Sequence, residues 1–154
     1  EVSGRTELAG LPDWHEINVG SSQEQLTERH GIDWSTVTLL RQRLQDLDAL
    51  YDQVPSTSLL IEAGQCLNTI SHLRDYISSS AVRRDLLAVE ADAAILMGRL
   101  IWDASQRRDH VSARLYFARA LKASQYIGRS NIEALAVLRI CFVALYGEKN
   151  FYNT

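Results

Sequence analysis

The chain has 154 residues, 46% of them hydrophobic and 23% charged, with a formal net charge of −3. That length suits one domain with a sizeable core, and that composition sets aside disordered and collagen-like classes. The acidic balance leaves no chain-wide electrostatic footprint for nucleic acid, and the densest basic stretches are mere pairs, Arg41 with Arg43, Arg83 with Arg84 and Arg107 with Arg108.

Residues 1–20 hold Gly4, Gly10, Pro12 and Gly20 with no sustained period. They read as an irregular N-terminal arm, with Leu11, Trp14 and Ile17 available to pack on the body. SSQEQLTERHG follows as a short capped helix, in which Ser21 and Glu24 have capping-box spacing and Gly31 ends the turn. From a cap at Asp33, Val37, Leu40, Leu44, Leu47, Tyr51 and Val54 form one apolar stripe on a helix that Pro55 stops. A second helix carries Leu60, Ala63, Leu67, Ile70, Leu73 and Ile77 and stops at the serine run 78–80. The third, about 82–105, is apolar almost all round, which predicts packing on more than one side. The fourth runs from His110 to Ile127 with Gly128 closing it. The fifth opens on Ser130 and Glu133 at capping-box spacing, carries Ala134, Leu135, Leu138, Phe142 and Leu145, and ends near Tyr146. No stretch alternates with period two. The expected fold is all-α, with residues 21–154 forming one helical domain.

Cys66 and Cys141 lie in apolar helical patterns without a CxxC partner or a histidine at metal spacing. They read as buried thiols rather than a disulfide or a zinc site. No signal-peptide pattern is present, and no apolar run comes near roughly 18 residues, so the expected location is cytoplasmic, away from membranes. The first residue is Glu1 rather than Met, and a segment excised or processed from a longer protein is expected.

The stretch WDASQRRDH, residues 102–110, gathers acids, arginines and a histidine, as a catalytic cluster would. It falls between the third and fourth helices, and Asp109 suits the cap of the fourth, where it accepts from first-turn N–H groups. A corner is the expected reading. Beyond it, DHVSARLYFARAL sets Ala113 and Ala120 among Tyr116, Phe117 and Leu121. It resembles the second helix of a tetratricopeptide repeat, a unit of about 34 residues. LMGRLIWDA supplies Leu100 for the first helix of such a repeat but places Ile101 and Ala104 where Gly and Tyr belong, and Gln125 stands near the place of the closing Pro.

Taken together, VEADAAILMGRLIWDASQRRDHVSARLYFARAL and EALAVLRICFVALYGEKN resemble the C-terminal helical-repeat region of actinobacterial transcriptional regulators with an N-terminal Xre-type helix-turn-helix. The resemblance implies antiparallel helical hairpins stacked as a short α-solenoid, with the repeat-like part at about 82–150. It also implies a sensing module that controls a separate DNA-binding domain. SQEQLTERHGIDWSTVTLLRQRL has the outline of a helix-turn-helix itself. Its second helix runs too long for a recognition helix, however, and Glu24, Glu28, Asp33, Asp46 and Asp48 dilute its arginines, so any DNA contact is assigned to a domain outside this chain.

No HExxH, phosphate loop or nucleophile with an adjacent base is present, and Glu90/Asp92 and Asp46/Asp48, two apart, point to different sides of a helix. His72 reads as a solvated partner of Asp75. The chain is expected not to be an enzyme and to need no cofactor or metal. Stacked hairpins instead leave a groove for peptides, partner proteins or small-molecule effectors. Arg99, Trp102 and Asp103 on the polar side of the third helix, with Arg139 about one repeat on, are its candidate residues. Packing of Trp102 on a neighbouring element is the competing assignment. Leu138, Phe142 and Leu145 would lack a covering neighbour and form a self-association patch, expected to be filled by a second copy or by the rest of a longer parent. Two functions follow: a sensor and dimerisation domain of a transcriptional regulator, or a free-standing adaptor with no link to DNA.

Overall fold

The computed structural model describes residues 34–147. The arm over 1–20, the short helix over 21–31, the Asp33 cap and the turn after Gly147 lie outside them. The described part is all-α, with no strand: α1 (Trp34–Leu50), α2 (Ser56–Tyr76), α3 (Ser80–Ala104), α4 (His110–Ile127) and α5 (Ser130–Gly147).

Local chemistry sets most of the boundaries. α1 stops at Leu50, short of Pro55, and in the turn that follows Gln53 and Val54 both donate their N–H to the Leu50 carbonyl, at 2.9 and 3.1 Å. Tyr51 and Val54 still extend the buried stripe of Val37, Leu40, Leu44 and Leu47 against the core. α3 starts two residues earlier than the apolar pattern indicates, since Ser79 caps it by accepting from the Val82 N–H at 3.4 Å. α4 ends at Gly128, whose φ of 69° is the left-handed conformation that glycine adopts without steric cost. The expected capping box of α5 is not formed as such. The Glu133 carboxylate accepts instead from the Gln125 side chain at 3.0 Å, tying α5 to the end of α4.

α3 is the spine. One of its faces (Leu86, Val89, Ala93, Leu96, Met97, Leu100) joins the buried residues of α1 and α2. The opposite face (Ala88, Ala91, Ala94, Ile95, Trp102) joins Ala113, Phe117 and Ala120 of α4 with Ile132, Ala136 and Val143 of α5. Burial on both sides explains the all-round apolar sequence. The α3–α4 approach is close: a Cβ at Gly98 would lie 2.5 Å from the Phe117 ring. Cys66 is buried, as expected, and burial pushes its thiol above the usual range. Cys141 is exposed on α5, contrary to the expectation, because α5 buries only Ile132, Ala136, Val143 and Gly147.

The expectation missed Glu90, a carboxylate only 1% exposed in the middle of α3. Arg74 of α2 donates to Oε2 at 2.7 Å, and Arg119 of α4 donates to Oε1 from Nη2 at 2.5 Å and from Nε at 3.1 Å. Ser71 completes the cluster. A buried charge persists only when paired and hydrogen-bonded, and this one sets the register of three helices at once.

The odd-numbered helices share a direction. Near their starts, Arg41 of α1 and Arg129 just before α5 both reach Asp85 of α3, at 3.7 and 4.0 Å. Near their ends, Arg99 meets Asp48 at 2.5 Å, and Trp102 lies against Gly147. α1, α3 and α5 therefore run parallel along one side of the protein.

Candidate binding site between α1, α3 and α5

WDASQRRDH is a corner. The Arg107 N–H donates to the Trp102 carbonyl at 2.8 Å and the Gln106 N–H to that of Asp103 at 2.9 Å, the paired bonds that close a helix end. The cost falls on two residues with side chains, since Gln106 and Arg107 take φ of 52° and 65°. Asp109 then caps α4, its Oδ1 accepting from the Ser112 N–H at 3.0 Å. That backbone bond holds its carboxyl below the ordinary carboxylate range. Asp103, Asp109 and His110 do not converge: Asp103 turns to Tyr51 of the α1 end, and the His110 ring contacts the Arg108 carbonyl. Among the described residues no three His, Cys, Asp or Glu side chains are grouped to hold a metal. His72 stacks on Tyr76 rather than pairing with Asp75, which Arg74 engages at 3.1 Å.

The corner does border a cavity. Arg99, Trp102 and Asp103 of α3 and Arg139 of α5 all line a single space of about 70 Å³, together with Tyr51, Arg107, Phe117, Phe142 and Val143. Each wall has a local cause. The turn that ends α1 presents Tyr51, whose ring lies 3.8 Å from the Arg99 guanidinium carbon and whose hydroxyl donates to Asp103. Burial, then Asp103, push that hydroxyl above its usual range, against the opposing pull of Arg99. Asp48 takes one Arg99 nitrogen. The Nε–H groups of Arg99 and Arg139 are both buried with no acceptor among the described residues. Three guanidinium groups against one carboxylate give the lining an excess of positive charge.

Trp102, for which the sequence left an anchor and a packing role open, is among the buried residues. It is 6% exposed, with its ring against Gly147, so its first role is packing on the neighbouring helix. Tyr51 and Arg107 are cavity residues that the sequence did not nominate. Tyr51 continues the α1 apolar stripe, and nothing local marks it as the partner of a residue far along the chain.

Leu138, Phe142 and Leu145 lie on the open side of α5, at 60, 39 and 55% exposure. Phe142 also lines the cavity, so the nominated groove and patch meet at this residue. With Glu133 and Arg139 its only charged residues, α5 is long and apolar enough to cross a membrane by length and composition, which the sequence reading did not register. A wider depression of about 500 Å³ lies between the α2–α3 and α4–α5 turns. Its Arg83 and Arg84 are already committed to the carbonyls of Ile77 and Ile127.

Comparison with protein-family models, with curated proteins and with solved structures finds no match to this chain.

Proposed function

We propose that the chain is a binding module built as a short tetratricopeptide-like α-solenoid, serving as the sensor and dimerisation domain of a cytoplasmic bacterial transcriptional regulator. Its occupant is a peptide, a partner protein or a small effector held between α1, α3 and α5. DNA is contacted by a separate domain only. The observation that carries this reading is the convergence of Arg99, Trp102, Asp103 and Arg139 on one cavity. Support for a solenoid comes from the parallel α1, α3 and α5, which the pairing of Arg41 and Arg129 with Asp85 ties together. Binding is favoured over catalysis because the acids and histidine of the corner are occupied by a helix cap, a tyrosine and a backbone carbonyl.

The test is native mass spectrometry of gently purified chain beside an Arg99→Gln/Arg139→Gln variant whose circular dichroism matches it. An adduct on the first that the second lacks is the expected result; identical adduct profiles would overturn the groove. The adaptor alternative is separated by what precedes Glu1 in the parent gene, where a helix-turn-helix coding segment favours the regulator.

The exposed apolar face of α5 favours self-association as part of the same function. Sedimentation should show dimers that Leu138→Glu dissociates. A wild-type chain that stays monomeric at high concentration argues against the dimer alone and leaves the groove untouched.

A further inference from the structure

The geometry points to a specific chemistry for this cavity: a carboxylate-binding subsite in which the Nε–H groups of Arg99 and Arg139 are the donors. The inference rests on the proposed groove and names what the groove reads. A buried N–H without an acceptor is costly, and native proteins rarely leave one so. Here the two residues that carry such groups, from helices far apart in sequence, line the same space, with each Nε–H buried in its wall. Arg139 pairs with no carboxylate among the described residues, and Arg99, although bonded to Asp48 through Nη1, keeps its Nε–H unspent.

The ligand must be an anion, because all the unspent groups are donors on positive side chains. It must be small, because the space is about 70 Å³. It must be weakly charged, because Asp103 shares the lining and repels a dianion such as phosphate more than a monoanion. Phe117 and Phe142 also line the space, and their flat rings favour a flat group and offer it no further donors. A carboxylate meets all four demands, and a charge-assisted bond from each Nε–H would satisfy both nitrogens together. The group belongs to the acidic side chain or C-terminus of a bound peptide, or to a free small organic acid; the shared chemistry is the carboxylate.

The experiment follows the two arginine Nε–H resonances by NMR in the full chain. Sodium acetate and acetamide test the charge. Tetraglutamate and C-terminally amidated tetraglutamine, which carries no carboxylate, test the source. Saturable shifts of both resonances with acetate and not with acetamide are expected. They should weaken about tenfold or more in Arg139→Gln, as loss of one charge-assisted bond requires. Resonances that acetate leaves unmoved, or that acetamide moves equally, would overturn the carboxylate assignment. Arg99→Lys is the second variant: it keeps the charge but removes Nε, so undiminished acetate binding there also counts against the assignment. Tetraglutamate binding above tetraglutamine supports the peptide source. Acetate binding without peptide binding keeps the subsite and removes the peptide groove, whereas equal binding of both peptides keeps the groove and removes the subsite.

Discussion

α3 has an arginine cluster on either side, and the two are built in opposite ways. Toward α2 and α4, Arg74 and Arg119 close on Glu90 so fully that both carboxylate oxygens are occupied and the acid is sealed from water. Toward α1 and α5, Arg99 and Arg139 line a cavity and each retains a buried donor with no protein acceptor among the described residues. The same residue type serves both places. What separates the two is whether the hydrogen bonds are completed within the fold, and the proposed ligand belongs on the side where they are not.

The largest effect should come from breaking the completed cluster. Glu90→Ala leaves two arginines facing each other without their common anion, and removing one partner of a buried pair costs about 3–5 kcal/mol. Arg74 and Arg119 keep roughly a third of their side-chain surface exposed and can rehydrate, so the lower end, about 3 kcal/mol, is expected. A urea midpoint that barely moves would show that the cluster contributes no register to α2, α3 and α4. Next in size is Gly98→Ala, which drives a methyl group into the Phe117 ring that also walls the cavity. Overpacking of this kind costs about 1–3 kcal/mol, read from the same denaturation curve.

Asp109→Ala should cost about 1 kcal/mol through the lost cap. Its pH dependence has a defined sign. The Ser112 N–H bond holds the folded carboxyl below the ordinary Asp range, so the contribution is complete above that range and fades as pH falls through the lower, folded pKa. The difference between wild type and variant should therefore shrink at acid pH and stay flat near neutrality. Gln106→Gly should stabilise by about 0.5 kcal/mol, relief of the left-handed strain being partly offset by the freer unfolded chain. If that gain comes with weaker acetate binding, the strained corner also serves to set Arg107 at the cavity rim.

Five helices and most of their buried stripes were legible in the sequence, because apolar spacing and terminal residues such as Pro55, Asp109 and Gly128 act locally. The corner reading of WDASQRRDH rested on the same local chemistry. Glu90 was not legible: two-apart spacing separates it correctly from Asp92, but only the positions of Arg74 and Arg119 reveal which of the two acids points inward. Arg99, Trp102, Asp103 and Arg139 could be nominated by helical spacing, but their joint cavity depends on how α1, α3 and α5 stack, which no short window contains. Trp102 shows the cost of that gap. An aromatic between two charged positions reads equally as a surface anchor or a packing residue, and the Gly147 backbone it lies against is far along the chain.

The smallest change in stability is the most discriminating. Arg139→Gln removes a guanidinium that pairs with no carboxylate among the described residues, so folding should lose nothing beyond the scatter of an ordinary surface substitution, within about 0.5 kcal/mol. A small gain is consistent, since one buried donor without an acceptor disappears. If thermal denaturation instead drops as far as in the Glu90 variant, Arg139 is a structural residue like Arg74, and the contrast between the two faces of α3 collapses. A chain that keeps its stability and loses its acetate response would place Arg139 in binding and outside folding, where a completed ion pair cannot be.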